Sequence, residues 1–334
     1  MNVEYRFLSI SELGNYLSYP DGDSEKILSS GLDLYKTSIV KNPNRSNNDF
    51  VVCLAIADNK IVGRFMLFQT KLKVETEVIE VQTGGGILVK ENYRGFGIGK
   101  TLIQIVLCND FHLGALYTRA AYNIVKKTET MLEIPQYVKF LHHGIKKILD
   151  IPILITQFLL RKYFYIEKLS IVPNWVNDMI INDNHKYMEV HDASWLQWSL
   201  DNNATGNMND YQSFYAIYNK TKQPVGFFMT KVRTIKQEGR FYKKANLVEW
   251  ASLSKRYLDE ADINILALST LDSSIEKFWT ISENEYTAKK LKRYFFKRKG
   301  WFAISVGKNQ RFEDIGDVNK WRIRYGCCNT ILVE

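Results

Sequence analysis

The sequence predicts an α/β protein that consists of two copies of one structural unit. Its 334 residues exceed a typical single domain, and 46% of them are hydrophobic, so each half can bury its own core. A hairpin pattern occurs twice, and a strand–loop–helix pattern lies between the two occurrences. We therefore predict one domain over residues 1–135, a connecting helical segment over 136–170, and a second domain over 171–334.

The two hairpin patterns share the same marks in the same order. Residues 48–66 read NDFVVCLAIADNKIVGRFM, with two apolar β-rich runs around an Asp-Asn turn. Residues 209–229 read NDYQSFYAIYNKTKQPVGFFM and again carry an Asn-Asp-aromatic start, an Ala-Ile pair and a Val-Gly-x-Phe-Met end. Chance gives two hairpins readily, but it rarely gives this order of marks twice. The pattern indicates an internal duplication.

A glycine-rich loop follows the first hairpin. Residues 93–101 read YRGFGIGKT, and such loops at the start of a helix can bind phosphate groups. A P-loop would need a glycine five residues before Gly99, where Arg94 stands. A dinucleotide-binding fingerprint would need a later third glycine and an acidic residue closing a following strand, and neither is found. What remains is a β-run, a polar loop with R-G-x-G-x-G, and an apolar-periodic helix.

Residues 87–107, ILVKENYRGFGIGKTLIQIVL, closely resemble the acetyl-CoA-binding motif of the GNAT acetyltransferase superfamily. Residues 87–89 match the family's fourth strand, and Arg94, Gly97 and Gly99 match its diagnostic loop positions. The resemblance implies two GNAT-like units, each a mixed, mostly antiparallel sheet flanked by helices, with acetyl-CoA (coenzyme A) as the cofactor. The candidate cofactor-binding residues are Ile87, Leu88, Val89, Arg94, Gly95, Phe96, Gly97, Ile98, Gly99, Lys100 and Thr101.

The residue types in this loop suit a pyrophosphate. Backbone amides at a helix N-terminus lack intrahelical partners, and the helix dipole favours negative charge there. Glycines let the backbone approach the phosphates and adopt positive φ. Arg94 and Lys100 add positive charge, and each charge-assisted hydrogen bond contributes roughly 1.5–3 kcal/mol.

The resemblance also implies direct attack of an amine on the thioester. Residues 87–89 would position the pantetheine, and a backbone amide near Ile87 or Leu88 would stabilise the oxyanion. Residues 118–127, TRAAYNIVKK, match the helix where many family members carry a tyrosine as general acid, but Val125 occupies that position here. Four alternatives stay open: Tyr122 is the acid, a residue of the second unit replaces it, the thiolate leaves unaided, or the unit binds its ligand without turnover.

A general base has to take the ammonium proton, and the family uses a carboxylate for this. Glu80 is the candidate, because strand alternation places Glu75 and Glu77 on the other face. The glycines at 84–86 indicate either a β-bulge or a close approach of the acceptor.

The second unit lacks the glycine loop. Its corresponding segment reads KKANLVEWASLSKRYLDEA, which keeps an apolar strand but has no R-G-x-G-x-G. We therefore predict a degenerate second copy without a cofactor site. Glu249 and Trp250 are candidates for the acceptor side. Helices over 11–19 and 24–40 would match the family's first helices, which line the acceptor cleft.

Composition and residue spacing indicate the cellular location of the protein and the kinds of partner that it binds. The four cysteines show no CxxC spacing, and no signal peptide or membrane span is found, so we expect a cytoplasmic protein with free thiols. The five histidines show no ligand spacing, so no metal is predicted. The net charge of +9 favours anionic partners. The basic run at 289–299, KKLKRYFFKRK, is interpreted as a solvated helix whose Leu291, Tyr294 and Phe295 face inward.

The predicted function is an acetyl-CoA-dependent N-acetyltransferase with a small-molecule amine acceptor. The positive charge favours an amino sugar or nucleotide-linked amine, although a peptide or protein amine stays open. One alternative is a non-catalytic acyl-CoA-binding or sensing protein. Another is a tandem-GNAT aminoacyl transferase that uses charged tRNA, which would leave the intact loop unexplained. A nucleic-acid partner is otherwise not expected, and the acyl chain length and oligomeric state stay open.

Overall fold

The computed structural model describes residues 1–12, 41–46, 48–107, 112–115, 119–141, 150–202, 210–253, 258–307 and 313–327. Of the helices predicted over 11–19 and 24–40, all but residues 11 and 12 lie outside the described residues. Cys53 and Cys327 are buried free thiols, as predicted, whereas Cys108 and Cys328 also lie outside.

In the described residues, the first half of the chain contains six strands and two helices. They are β1 Glu4–Ser9, β2 Phe50–Ala57, β3 Lys60–Val74, β4 Glu77–Val89, α1 Ile98–Leu107, β5 His112–Ala115, α2 Arg119–Thr128 and β6 Thr130–Phe140. A short 3₁₀ helix, Glu91–Tyr93, lies between β4 and α1.

The second half contains eight strands and five helices in the described residues. They are α3 Ile151–Arg161, β7 Phe164–Leu169, α4 Trp175–Ile181, β8 Tyr187–Glu189, α5 Ala193–Asp201, β9 Tyr211–Asn219, β10 Pro224–Gln237, β11 Arg240–Ser252, α6 Glu260–Leu268, β12 Ile275–Ile281, α7 Glu285–Arg293, β13 Lys297–Val306 and β14 Trp321–Arg322. No helix in the described ranges is long and apolar enough to cross a bilayer.

Both predicted hairpins are present, as β2–β3 and β9–β10. In the first, Asp58 and Asn59 form the two-residue turn with φ of 49° and 58°. Positive φ at both positions gives the turn whose twist matches that of the flanking strands, and Asn and Asp tolerate this conformation.

The strands form one mixed, mostly antiparallel sheet with helices against it, as the predicted fold class requires. The strand order is β1-β2-β3-β4-β5-β13-β6-β12-β11-β10-β9-β7, and β8 joins β3 to β14. Within the main path, only β4–β5 and β11–β12 are parallel. The order strand-strand-strand-helix-strand-helix-strand occurs in both halves, from β2 to β6 and from β9 to β13. Descent of the two halves from one ancestral unit stays a prediction.

The two halves exchange their last strands. β13 lies between β5 and β6, and β6 lies between β13 and β12. The segment over 136–170, predicted as a helical connection, therefore contains the end of β6 and all of β7 as well as α3. The helix-like spacing of its lysines and leucines misled that prediction, because pairing with distant strands determines the conformation of residues 136–140.

The basic run at 289–299 is also only partly helical. α7 ends at Arg293, and Phe295 has a φ of 61° and is 51% exposed. Leu291 is buried as predicted, but Phe296 rather than Phe295 packs into the core. The turn at Phe295 ends the helix and redirects the chain into β13. As a result, Phe296 is buried and Phe295 is exposed.

The strand exchange gives a prediction for Phe302 of β13. Its side chain is 1% exposed and stacks on Tyr325 with a centroid separation of 5.1 Å. Phe302→Ala should lower the free energy of unfolding by about 3–5 kcal/mol, because it removes a large ring from the core. Urea unfolding followed by circular dichroism measures this. Trp301→Ala is the matched control, since Trp301 is 52% exposed, and it should cost no more than about 1 kcal/mol. Equal costs for the two variants would contradict the assignment of β13 as a core strand.

Candidate functional site

A crevice opens where β4 separates from β5. Among the described residues, the two strands pair in parallel at three positions, the last of which joins Gly84 to Gly114. Beyond Gly84, β4 continues to Val89 and keeps its pairing with β3. Its other edge has no strand partner among the described residues. Main-chain amide and carbonyl groups along residues 85–89 on that edge, apart from the Val89 carbonyl that Arg94 contacts, are therefore available to a ligand.

The glycines at 84–86 produce a bulge in β4. The β3–β4 register shifts between Arg64 and Met66, and Gly86 has a φ of 62°. A Cβ on Gly84 would lie 2.8 Å from the ring of Phe65, so a larger residue would clash with the core. Of the two interpretations of this glycine run, the structure contains the bulge.

The predicted loop lies at the open end of this crevice. After Arg94, Gly95 and Gly97 have φ of 89° and 82°, values that L side chains rarely adopt. The space that a Cβ would fill at each of these glycines is empty to 4 Å. Ile98 is 2% exposed and anchors the start of α1 in the core. The loop is therefore shaped by glycine conformation and held by one buried residue.

The start of α1 presents unpaired donors. The first intrahelical bond runs from the Thr101 amide to the Gly97 carbonyl at 3.0 Å, and the Thr101 hydroxyl also donates to that carbonyl at 3.3 Å. The amides of residues 98–100 have no acceptor among the described residues. No acidic residue lies in the first turn. Exposed Lys100 lies beside these amides. This arrangement suits an anion.

Arg94 and Phe96 complete the loop. The Arg94 Nε donates to the Val89 carbonyl at 3.2 Å, so the arginine connects the loop to the end of β4. The Phe96 ring is 67% exposed. The structure thus brings all eleven predicted cofactor-binding residues to one end of the crevice. Loop and strand edge together offer amides for phosphates and a free β-edge for an extended chain.

The corresponding place in the second half has the opposite electrostatic character. β11 and β12 also pair in parallel and separate after Asn246. The helix that follows, α6, is capped by Asp259, whose side chain accepts from the Asp262 amide in a capping box. Glu260 and Asp262 place further carboxylates in its first turn. Carboxylates already accept hydrogen bonds from amides at this helix start, and their negative charge repels a phosphate. α6 therefore does not offer an anion site.

The two catalytic candidates lie on different elements. Glu80 is exposed on β4, opposite Lys71 of β3, and five residues before Gly85. That spacing is about 16 Å along a strand, so Glu80 lies beyond the reach of a hydrogen bond or a single bridging water from Gly85. On α2, the Tyr122 hydroxyl donates to Glu133 of β6, and this hydrogen bond raises the pKa of Tyr122.

The position of Val125 explains one departure from the family pattern. Its side chain is 1% exposed and packs in the core beneath α1 and α2. It can take no part in proton transfer. Glu133, the partner of Tyr122, was missed by sequence reasoning because nothing in the spacing from helix to strand indicates the pair.

Glu249 belongs to a buried ion network, so its prediction as an acceptor-side residue is wrong. Its carboxylate is fully buried, accepts from the Arg322 guanidinium at 2.7 Å, and contacts the His191 imidazole. Burial alone would raise the pKa of Glu249, but Arg322, His191 and Arg324 outweigh it and hold the pKa at about 2. Glu249 has no access to a ligand. Trp250, in contrast, lines two cavities.

His191 lies at the centre of this buried ion network. Burial would lower the pKa of His191, but Glu189 and Glu249 outweigh it and raise the pKa to about 9. Ligand atoms of Glu189, His191 and Cys327 lie within 4.8 Å of one another, a grouping that the sequence did not indicate. An imidazolium cannot ligate a metal, and Arg322 adds positive charge next to it. The absence of a metal site stays a prediction.

The sequence matches no known protein family and no curated protein. Solved structures resemble the whole chain. A probable N-acyltransferase from Enterococcus faecalis V583 has a TM-score of 0.58 at 10% identity, with 93% of this chain and 74% of that chain covered. A GCN5-related N-acetyltransferase from Anabaena variabilis ATCC 29413 has a TM-score of 0.57 at 11% identity, with 91% and 72% covered.

N-myristoyltransferase from Saccharomyces cerevisiae with bound myristoyl-CoA has a TM-score of 0.53 at 10% identity, with 91% of this chain and 82% of that chain covered. At these identities the similarity concerns the fold. The fold is that of the GCN5-related N-acetyltransferases, so the predicted GNAT-like fold class is confirmed.

The ion network predicts a pH dependence of stability. The pKa of His191 is higher in the folded protein than its ordinary value of 6.5. Its contribution is therefore fully present below pH 6.5 and is lost as the pH rises through 9, by a total on the order of 3 kcal/mol. Urea unfolding at pH 6, 7.5 and 9 measures this loss. His191→Gln should be less stable at pH 6 and show a shallower decline. Parallel curves for both proteins would contradict the assignment.

Proposed function

We propose that this protein is a coenzyme A-dependent N-acyltransferase that transfers an acetyl group from acetyl-CoA to an amine. The observation that carries the proposal is the start of α1. Its amides are unpaired, Gly95 and Gly97 leave room in front of them, and the free edge of β4 runs directly to them. An extended thioester with a pyrophosphate at one end needs these two features side by side.

The residues of this chain would divide the binding between them. The amides of residues 98–100, with the charges of Arg94 and Lys100, would hold the pyrophosphate. Main-chain groups of residues 87–89 would pair with the pantetheine along the open edge of β4. The bulge at Gly86 turns the strand just before this stretch, where an amide can stabilise the oxyanion.

The proposed reaction is a single acyl transfer. A neutral amine attacks the thioester carbonyl, the carbon–sulfur bond breaks, and the thiolate leaves. Glu80 is the proposed base. Because it lies about 16 Å along β4 from Gly85, it would take the proton of the amine through a chain of waters rather than by contact. Tyr122 is the candidate donor to the thiolate, and the transfer requires its hydroxyl to leave Glu133, whose hydrogen bond raises the pKa of Tyr122.

The acceptor is proposed to be a small amine that carries negative charge, such as an amino sugar or a nucleotide-linked amine. The net charge of +9 supports an anionic substrate. The basic run at 289–299 contributes less than its composition suggests. Lys290 is neutralised by Asp259 at 2.5 Å and by Asp262 at 3.3 Å.

A second candidate function is acyl-CoA binding without turnover. The burial of Val125 favours it, because no hydroxyl stands where many members of the family carry their general acid. Turnover assays with an amine panel distinguish the two functions, since both require coenzyme A binding but only one releases free thiol. Cytoplasmic location and the transfer of aminoacyl groups from tRNA have no specific support among the contacts of the described residues.

The cofactor site predicts the effect of Gly97→Asp. A carboxylate in front of the α1 amides would repel the pyrophosphate and occupy its donors, so the dissociation constant for acetyl-CoA should rise about 100-fold or more. Calorimetric titration measures it. Gly239→Asp is the matched control: this glycine also has positive φ and open space around it, but lies in the β10–β11 turn. Unchanged affinity of Gly97→Asp, or equal losses in both variants, would refute the site.

The proposed base predicts the effect of Glu80→Gln. Loss of the carboxylate should lower kcat about 10²-fold or more while the acetyl-CoA dissociation constant stays unchanged, because Glu80 lies well away from the α1 loop. Thiol release measures kcat. Glu77→Gln, on the same strand but the other face, should retain the wild-type rate. If both variants turn over equally, another group is the base.

A further inference from the structure

A second crevice opens at the end of β11, and two cavities occupy it. One is about 390 Å³ and is lined by Asn182, Asp183 and other polar groups. The other is about 200 Å³ and reaches the start of α6 and α7. Trp250 and Arg324 line both. The two cavities are therefore adjacent, with an aromatic ring and a guanidinium between them.

This region is separate from the α1 loop. Between β4 and β11 the sheet makes one parallel, three antiparallel and one parallel step, so β4 and β11 run in opposite directions. Because they run in opposite directions, the C-terminal end of β4 and that of β11 point to opposite sides of the sheet along the strand axis. A molecule in the β11 crevice consequently does not lie beside the α1 loop and would not compete with coenzyme A for its amides.

The smaller cavity contains two incompletely paired carboxylates. Glu260 is 8% exposed, and its Oε2 accepts from the Ser282 hydroxyl at 3.0 Å, but its Oε1 has no hydrogen-bond partner in the described ranges. The Oε2 of Glu283 is buried and equally without a partner. Burial and the nearby Glu283 raise the pKa of Glu260 to about 7, and they outweigh Arg324, which acts in the opposite direction. Asp259 also lines the cavity, but Lys290 neutralises it at 2.5 Å. Among the described residues, no cation is in ion-pair contact with either glutamate, although Arg324 lines the same cavity.

A guanidinium lines both cavities. Arg324 is 5% exposed, and its guanidinium lies 3.9 Å from the centroid of the Trp250 ring. Its Nη1 donates to the Ile323 carbonyl at 3.0 Å, and its Nε contacts the Trp250 carbonyl at 3.5 Å. Its Nη2 has no partner within the described parts of the chain. The Nε of Arg324 also lies 3.8 Å from the Glu249 carboxylate, so Nη2 is the donor left to meet an anionic group, and the indole beside it provides an apolar wall.

We propose that the β11 crevice binds a zwitterionic primary amine of the amino-acid type. Its ammonium lies between Glu260 and Glu283, its carboxylate meets Arg324, and its carbon chain packs on Trp250. This site is distinct from the proposed coenzyme A site and does not depend on it. The acids at the start of α6, which exclude a phosphate there, favour the ammonium end of such a ligand.

Calorimetric titration of the full chain with a series of ω-amino acids tests this proposal. Glycine, 4-aminobutanoate and 6-aminohexanoate place the two charges at increasing separation. For each amino acid, the controls carry only the amine or only the carboxylate: methylamine and acetate for glycine, butylamine and butanoate for 4-aminobutanoate, and hexylamine and hexanoate for 6-aminohexanoate. We expect one of the three amino acids to bind at least 10-fold more tightly than both of its controls. Absence of binding by all three zwitterions at millimolar concentration, or equal binding by the analogues, would overturn the proposal.

Matched variants locate the site. Glu283→Gln should weaken the binding member about 10-fold or more, because a charge-assisted contact to the ammonium is lost. Glu285→Gln, two residues away with a side chain that is 91% exposed, should bind as wild type does. An unaffected Glu283 variant would refute the site. Titration of the same preparations with acetyl-CoA separates the two proposals, because coenzyme A binding without zwitterion binding overturns only this one.

Discussion

The insertion of β13 between β5 and β6 is the constraint on which the architecture depends. It gives β5 a hydrogen-bonded neighbour on the edge away from β4, and β6 does the same for β12 on the edge away from β11. β5 and β12, the strands beside the crevices, are thus each hydrogen-bonded to a neighbour on the side away from the crevice. β4 and β11 can therefore diverge from β5 and β12 without leaving either of them at a free sheet edge, where unpaired backbone groups would invite wrong pairing. Both crevices follow from the exchange.

The two crevices share a backbone plan and differ in what stands at the following helix. At α1, glycines with positive φ leave the first amides open, which forgoes the stabilisation that a capping side chain gives. At α6, Asp259 and Asp262 satisfy those amides reciprocally, and the helix start is better stabilised. One helix start is left unsatisfied where a ligand's phosphates can complete it. The other is finished by the chain itself and is therefore closed to anions.

Local features were predictable from the sequence, and contacts between distant segments were not. The β2–β3 and β9–β10 hairpins follow from alternation and turn residues, and the α1 loop follows from a contiguous motif. The exchange of β6 and β13 joins strands more than 150 residues apart and leaves no local pattern. The same holds for the pairing of Glu249 with Arg322. The end of α7 was misplaced because the positive φ of Phe295 depends on how β13 docks.

Two groups of buried charges lie close together in the second half, and the contrast between them is informative. Glu249 has a guanidinium and an imidazolium as partners, which offsets the cost of its burial. Glu260 and Glu283, on the wall of the neighbouring cavity, each keep a buried oxygen without a partner, which costs about 1–3 kcal/mol for each group. The chain has cations nearby, since Lys290 pairs with Asp259 and Arg324 faces the same cavity. The fold thus pairs Glu249 with cations and leaves Glu260 and Glu283 incompletely paired. These two glutamates line a cavity, where a ligand can supply a cation to them.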